Sequence, residues 1–243
     1  MTSGQVRTPR WQTRTVRLKR RLARWIVLAL VAIFTRTRIQ GQNKLDELEG
    51  KVIVASNHLG RLDAFYGILL IKRTNLIMVV AEKYRDHPVF RVMVEQLDLL
   101  WLERFGADLG TLKEVLRRLD KGGILLIAPE GTRSTTEALL EGKPGVAYLA
   151  SKSGAPVVPA VVFGTEDRVV KAAFRRRRRP KVNVIVGEPF MIPPLPKTGR
   201  DVFLRQQTDE IMAQIAVLLP EKYRGVYREH PRVGELLSYE VSN

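Results

Sequence analysis

Apolar residues recur along this chain with two different spacings. From Val16 the spacing is helical. Leu18, Leu22 and Trp25 fall at i, i+4 and i+7, with Arg17, Arg20, Arg21 and Arg24 on the other side. An unbroken run of ten apolar residues, 25–34, follows and gives way to Arg36 and Arg38. Beyond Lys51, short apolar runs alternate with amphipathic stretches. Runs 52–55, 76–80, 99–102, 124–128, 157–163 and 182–186 predict strands. The stretches between them predict helices at 62–72, from Pro88 to 97, and at 144–153, where Gly154 ends the helix. Thr111 and Glu114 have capping-box spacing ahead of VLRRL, and Gly122 and Gly123 stop that helix. After the arginine run 175–179, expected to be a loop, and the Pro-rich segment MIPPLP, a last amphipathic helix is expected at 201–219, followed by a Tyr/Arg-rich tail. Strands alternating with helices imply an α/β fold, a largely parallel central sheet flanked by helices. The pattern divides the chain into a basic N-terminal arm, 1–45, and a domain at 46–243, with 1–15 expected to be poorly ordered.

Composition narrows the chemistry. Apolar residues are 45% of the 243, which excludes wholesale disorder. There is no cysteine, so disulfides, thiolate metal sites and a cysteine nucleophile are excluded. His58, His87 and His230 are scattered, so no metal site is expected. The net charge is +16, and its excess is local: residues 1–45 hold eleven Lys or Arg and no acidic residue, and 175–179 adds five arginines. Such patches call for an anionic partner, a membrane surface or a nucleic acid. Nucleic-acid binding is disfavoured, because aromatic residues do not interleave with the basic runs and no helix-turn-helix or zinc pattern occurs.

The ten apolar residues of the arm reach about 15 Å as a helix, roughly half a hydrocarbon core, so a spanning helix is not expected. Nor is a signal peptide, because TRTRIQG follows with no small-residue cleavage site. Two readings stay open. The helix dips into one leaflet, with Arg17, Arg20, Arg21 and Arg24 reaching headgroups and Trp25 at the interface, or it packs on the body. The first is favoured.

Working residues of an open α/β sheet sit on loops at the carboxyl ends of strands. The first such loop is Asn57-His58-Leu59-Gly60-Arg61-Leu62-Asp63. If it folds back, the Asp63 carboxylate orients His58 as a base, which suits activation of a substrate hydroxyl. The second is Pro129-Glu130-Gly131-Thr132-Arg133-Ser134. There Gly131 permits close approach to a ligand, Arg133 can grip a phosphate, and Glu130 can hold Arg133 or bind a hydroxyl.

NHxxxxD followed by EGTRS resembles the glycerolipid acyltransferase family, 1-acylglycerol-3-phosphate acyltransferase-like, over about 51–163. Leu100-Trp101-Leu102-Glu103-Arg104 is similar to its second block and Val157-Val158-Pro159-Ala160 to its fourth. Ala128 and Glu103 depart from the family's usual residues, and Lys83 lies near its lysine after the strand at 76–80. The resemblance implies direct acyl transfer in phospholipid biosynthesis, from acyl-CoA or acyl carrier protein to the free hydroxyl of lysophosphatidic acid, with phosphatidic acid as product. His58 is then the general base and Asp63 its orienting partner. Asn57, Lys83, Arg104, Glu130, Gly131, Thr132 and Arg133 bind substrate, and Pro159 shapes the acyl site. Backbone N–H groups near Gly60 or Gly131 are expected to meet the oxyanion. Another lysophospholipid or a glycolipid is the alternative acceptor. No cofactor is implied beyond the acyl donor, and the expected partners are membrane lipids and that donor. The expected location is the cell membrane, peripheral or monotopic on the cytoplasmic face.

Overall fold

The computed structural model describes residues 13–103 and 108–241, so Arg104 and most of the 1–15 segment lie outside the described residues. Seven strands form one sheet: β1 (Arg36–Gln40), β2 (Val52–Ser56), β3 (Leu76–Ala81), β4 (Leu100–Leu102), β5 (Ile124–Ile127), β6 (Val157–Phe163) and β7 (Lys181–Val186). Their order is β1-β7-β6-β2-β5-β3-β4. Strands β2 to β6 all run parallel, so their carboxyl ends share one edge. Strand β7 is antiparallel to β6, and β1 is parallel to β7. The sheet is therefore largely parallel, as its apolar runs imply. Val52, Ile53, Val54 and Ala55 of β2 are all fully buried, because that strand is covered on both faces.

The described helices are α1 (Arg14–Phe34), α2 (Gln42–Asp46), α3 (Asp63–Leu70), α4 (Pro88–Leu97), α5 (Leu109–Leu119), α6 (Gly145–Ser153), α7 (Asp167–Arg175), α8 (Arg200–Leu218) and α9 (Pro231–Val241). Side-chain alternation along the strands separates two apolar cores. Val54, Val158 and Val162 pack with Tyr66 and Leu70 of α3. Ile53, Val157 and Val161 point to the other face, with Val115 of α5, Leu149 of α6 and Ile211 of α8. Each such side chain, fully buried, contributes about 1.5–3 kcal/mol.

Among the elements that differ from the sequence expectations are β1, α7 and α5. β1 has one aliphatic residue in RTRIQ and is mostly exposed, so its sequence carries no strand pattern; pairing with β7 imposes it. α7 lies in a stretch, 164–174, for which the sequence predicts no element, and it takes in only the first arginine of the run 175–179 expected to be a loop. α5 starts earlier than the capping box predicts. Asp108, not Thr111, is the cap and accepts from Thr111 N–H at 2.9 Å, while Glu114 binds Arg117 and Arg118.

α1 both packs on the body and exposes an apolar face. Val16, Arg20 and Val27 are buried. Arg20 is the correction here. It does not point outward with the other arginines, because its guanidinium donates to Leu97 O at 2.7 and 2.9 Å, Thr74 O at 2.8 Å and Asp98 O at 3.2 Å. Burial, reinforced by nearby Arg118, lowers its pKa to about 10. Arg24 is half-buried and donates to Leu69 O at 3.3 Å, while Arg17 and Arg21 are exposed. On the opposite side Leu18, Leu22, Trp25, Ile26, Ile33 and Phe34 are each more than half exposed. Arg179 donates to Ala32 O and Thr35 O, which ties the arginine run to the carboxyl end of α1. Among the described residues, no helix is long and apolar enough to cross a membrane.

Candidate active site

Both sequence-predicted loops leave the shared carboxyl edge of the sheet. After β2, Asn57 points inward and its amide clasps β6: Nδ2 donates to Val162 O and Oδ1 accepts from Val162 N–H, both at 2.8 Å. Both ends of the amide are occupied, so Asn57 positions the loop, and it also lines the cavity that opens beside His58. The chain then folds back at Gly60, where a Cβ would lie 1.9 Å from Thr165 O. That approach brings Asp63, in the first turn of α3, beneath His58.

The Asp63 carboxylate is buried and has three donors. Oδ2 accepts from Gly60 N–H at 2.8 Å and lies 3.1 Å from His58 Nδ1. Oδ1 accepts from Thr165 Oγ1 at 2.5 Å. Against that acceptor, a neutral His58 carries its proton on Nδ1, which leaves the lone pair on Nε2. Nε2 has no hydrogen-bond partner among the described residues, and the imidazole lines a cavity. His58 and Asp63 thus meet as the five-residue spacing predicts. Thr165 was missed, because nothing local in Gly164-Thr165-Glu166 marks it; only the position after β6 brings it here.

The second loop is stitched to the first. Glu130 Oε1 accepts from His58 N–H and Oε2 from Leu140 N–H, both at 2.9 Å, and Ser134 N–H donates to His58 O at 2.8 Å. Glu130 is almost wholly buried, and desolvation raises its pKa to about 7 although both amide bonds oppose the shift. Its expected contacts with Arg133 or a substrate hydroxyl are therefore replaced by a scaffold role. Arg133 instead lies 3.8 Å from Asp167, which also pairs with Arg61 at 3.2 Å. The amides proposed for the oxyanion are also occupied, Gly60 N–H by Asp63 and Gly131 N–H by Ala128 O at 3.0 Å.

A cavity of about 490 Å³ opens beside His58 and Asp63 and continues past Gly67, Leu70, Met78 and Leu126. Its lining is mainly apolar, with Ser56, Thr132 and Lys143 among the polar exceptions. A volume of this size holds a flexible apolar ligand, and the base sits where the polar end of that ligand would lie. Gly131 and Thr132 line the cavity as expected. Lys83 and Pro159 do not. Lys83 is exposed, its ammonium 5.1 Å from the centre of the Tyr84 ring. Pro159 is buried in β6 on the side of Gly187 and Leu218, opposite Val162, so the strand's alternation turns it from the cavity.

The family model described as Acyltransferase matches residues 36–163, more than half of the chain. The chain belongs to this acyltransferase family. It is 29% identical to the 1-acyl-sn-glycerol-3-phosphate acyltransferase of Limnanthes douglasii over 59% of this chain and 50% of that protein. It is 31% identical to the lysophospholipid acyltransferase LPCAT4 of Mus musculus over 53% of this chain and 24% of that protein. The chain thus spans about half the length of the first of these curated relatives, or less. The crystal structure of the 1-acyl-sn-glycerophosphate acyltransferase PlsC from Thermotoga maritima has the same fold. Its TM-score is 0.61, at 20% identity, covering 83% of this chain and 81% of that one. The family match begins at β1, inside the arm read from the sequence.

Proposed function

We propose that this acyltransferase moves a fatty acyl group from acyl-CoA or acyl carrier protein to the free hydroxyl of lysophosphatidic acid. The observation that carries the reading is the His58–Asp63 pair at 3.1 Å on the wall of a largely apolar cavity. Nε2 of His58 takes the hydroxyl proton as the oxygen attacks the thioester carbonyl. A C–O bond forms, the tetrahedral intermediate collapses, the C–S bond breaks, and the thiol leaves with the proton returned by the imidazolium. No enzyme nucleophile is needed. Asp63 stabilises the imidazolium and keeps the ring from turning. The names of the Limnanthes relative and of the Thermotoga structure support lysophosphatidic acid as acceptor. The similarity to LPCAT4 favours a second reading, another lysophospholipid in the same pocket.

The same reading places the protein on a membrane surface, at its cytoplasmic face, as a peripheral or monotopic enzyme. Its support is the exposed apolar face of α1, flanked by Arg17, Arg21 and the arginine run. The test of the reaction class is thiol release from acyl-CoA, or from acyl carrier protein, in mixed micelles with and without lysophosphatidic acid. Release that requires the acceptor and yields phosphatidic acid supports the reading. Release without acceptor makes the protein a thioesterase, and silence with both donors and a lysolipid panel overturns acyl transfer.

A further inference from the structure

The acceptor in this reading carries a phosphate, so its site needs a cation. The family resemblance gives that role to Arg133 and Arg104, and Arg104 lies outside the described residues. In the structure Arg133 is outside the cavity lining and shares Asp167 with Arg61. The cavity itself is lined by the carboxylates Asp63, Glu103 and Asp108, an environment that repels an anion. Among the described lining residues, one Lys or Arg stands against them, and it is Lys143.

Its placement is built. Lys143 N–H donates to Pro129 O at 2.8 Å, which pins its Cα to the second loop. The next residue, Glu130, holds the backbone of His58, so adjacent residues fix the cation and the base in one register. The side chain then runs over Gly131. A Cβ at Gly131 would lie 3.0 Å from Lys143 Cδ and 3.4 Å from Nζ, so the glycine is the floor on which the stem lies. Gly131 also has φ +68°, a conformation that suits glycine. Among the described residues, no carboxylate lies within salt-bridge distance of Nζ. A compact ammonium on a flexible stem suits a phosphate monoester, which carries about −1.5 to −2 charges at neutral pH.

We propose that Lys143 receives the phosphate of the acceptor and sets the preference for phosphorylated acceptors. The inference rests on the acyl-transfer reading. It is tested in mixed micelles with acyl-CoA, or with acyl carrier protein where acyl-CoA is inert, on wild type, Lys143→Ala and Lys143→Arg, with lysophosphatidic acid and monoacylglycerol as acceptors. Lys143→Ala should raise KM for lysophosphatidic acid about 10- to 100-fold, the range for one charge-assisted hydrogen bond, with kcat little changed. Lys143→Arg should recover most of that loss. Activity with monoacylglycerol, if the wild type shows it, should not change in Lys143→Ala. An unchanged KM for lysophosphatidic acid overturns the proposal alone, and so does an equal loss with both acceptors. A wild type that acylates neither acceptor from either donor overturns the lysophosphatidic acid reading and the proposal together.

Discussion

Thr165 Oγ1 donates to Asp63 Oδ1 at 2.5 Å, across 102 positions of sequence. The bond joins the loop after β6 to the first turn of α3. It occupies the carboxylate oxygen that His58 does not use, so Asp63 cannot rotate without losing a partner. Thr165→Val should lower kcat about 10- to 100-fold with little change in KM, since the base stays in place but is held less firmly. Thr165→Ser keeps the hydroxyl and should restore most of the activity. Steady-state kinetics on both variants checks this, and equal losses in the two would assign Thr165 a packing role only.

Glu130 makes a prediction about pH. Burial raises its pKa from an ordinary 4.5 to about 7. A carboxyl with a folded pKa above its unfolded one holds its proton on folding. Its stabilising contribution is therefore full below the unfolded value and is lost as pH rises through about 7. Glu130→Gln does not titrate. The unfolding free energy of wild type minus that of this variant, from urea unfolding, should fall between pH 5 and pH 8. A difference that grows with pH contradicts the assignment.

Gly60 is fixed by space. A Cβ there meets Thr165 O at 1.9 Å, a backbone atom that cannot move aside cheaply. Gly60→Ala should cost about 1–3 kcal/mol or more in unfolding free energy and should also lower kcat, because the displaced loop carries His58. Full activity with unchanged stability would show that the loop relaxes freely.

The arginines of α1 divide into two kinds. Arg20→Ala removes the donor to three backbone carbonyls, so it should destabilise the fold by about 1–3 kcal/mol. Arg17→Ala and Arg21→Ala should leave stability alone and weaken binding to anionic vesicles by about 1 kcal/mol each. Replacing exposed Trp25 and Ile33 together by serine should cost about tenfold or more in vesicle binding. Vesicle flotation beside urea unfolding separates the two kinds. Equal effects of Arg17 and Arg20 on both readouts would contradict the division.

The sequence was most legible where burial sets the pattern. Strands covered on both faces, such as β2, show as unbroken apolar runs, and the five-residue step from His58 to Asp63 lies within one loop. Legibility failed where a partner far along the chain decides. β1 exists through its pairing with β7. Arg20 has the same helical spacing as its exposed neighbours, and only the carbonyls of Thr74, Leu97 and Asp98 make it a buried residue. Glu130 and Arg133 lie three positions apart in one loop and read as partners, yet one is used by backbone amides and the other lies against Asp167. Thr165 and Lys143 carry no local signal, because their positions at the site follow from the order of strands in the sheet and from a bond to Pro129.

The central claim is that His58, held by Asp63, is the base of an acyl transfer. The most direct measurement is the rate of phosphatidic acid formation by wild type, His58→Ala and Asp63→Asn, with unfolding curves confirming that each is folded. General-base catalysis is worth about 10²- to 10⁴-fold, so His58→Ala should lose activity by that order, and Asp63→Asn should lose much of the same while KM for the acceptor changes little. A folded His58→Ala that keeps its rate within a few-fold of wild type would contradict the account.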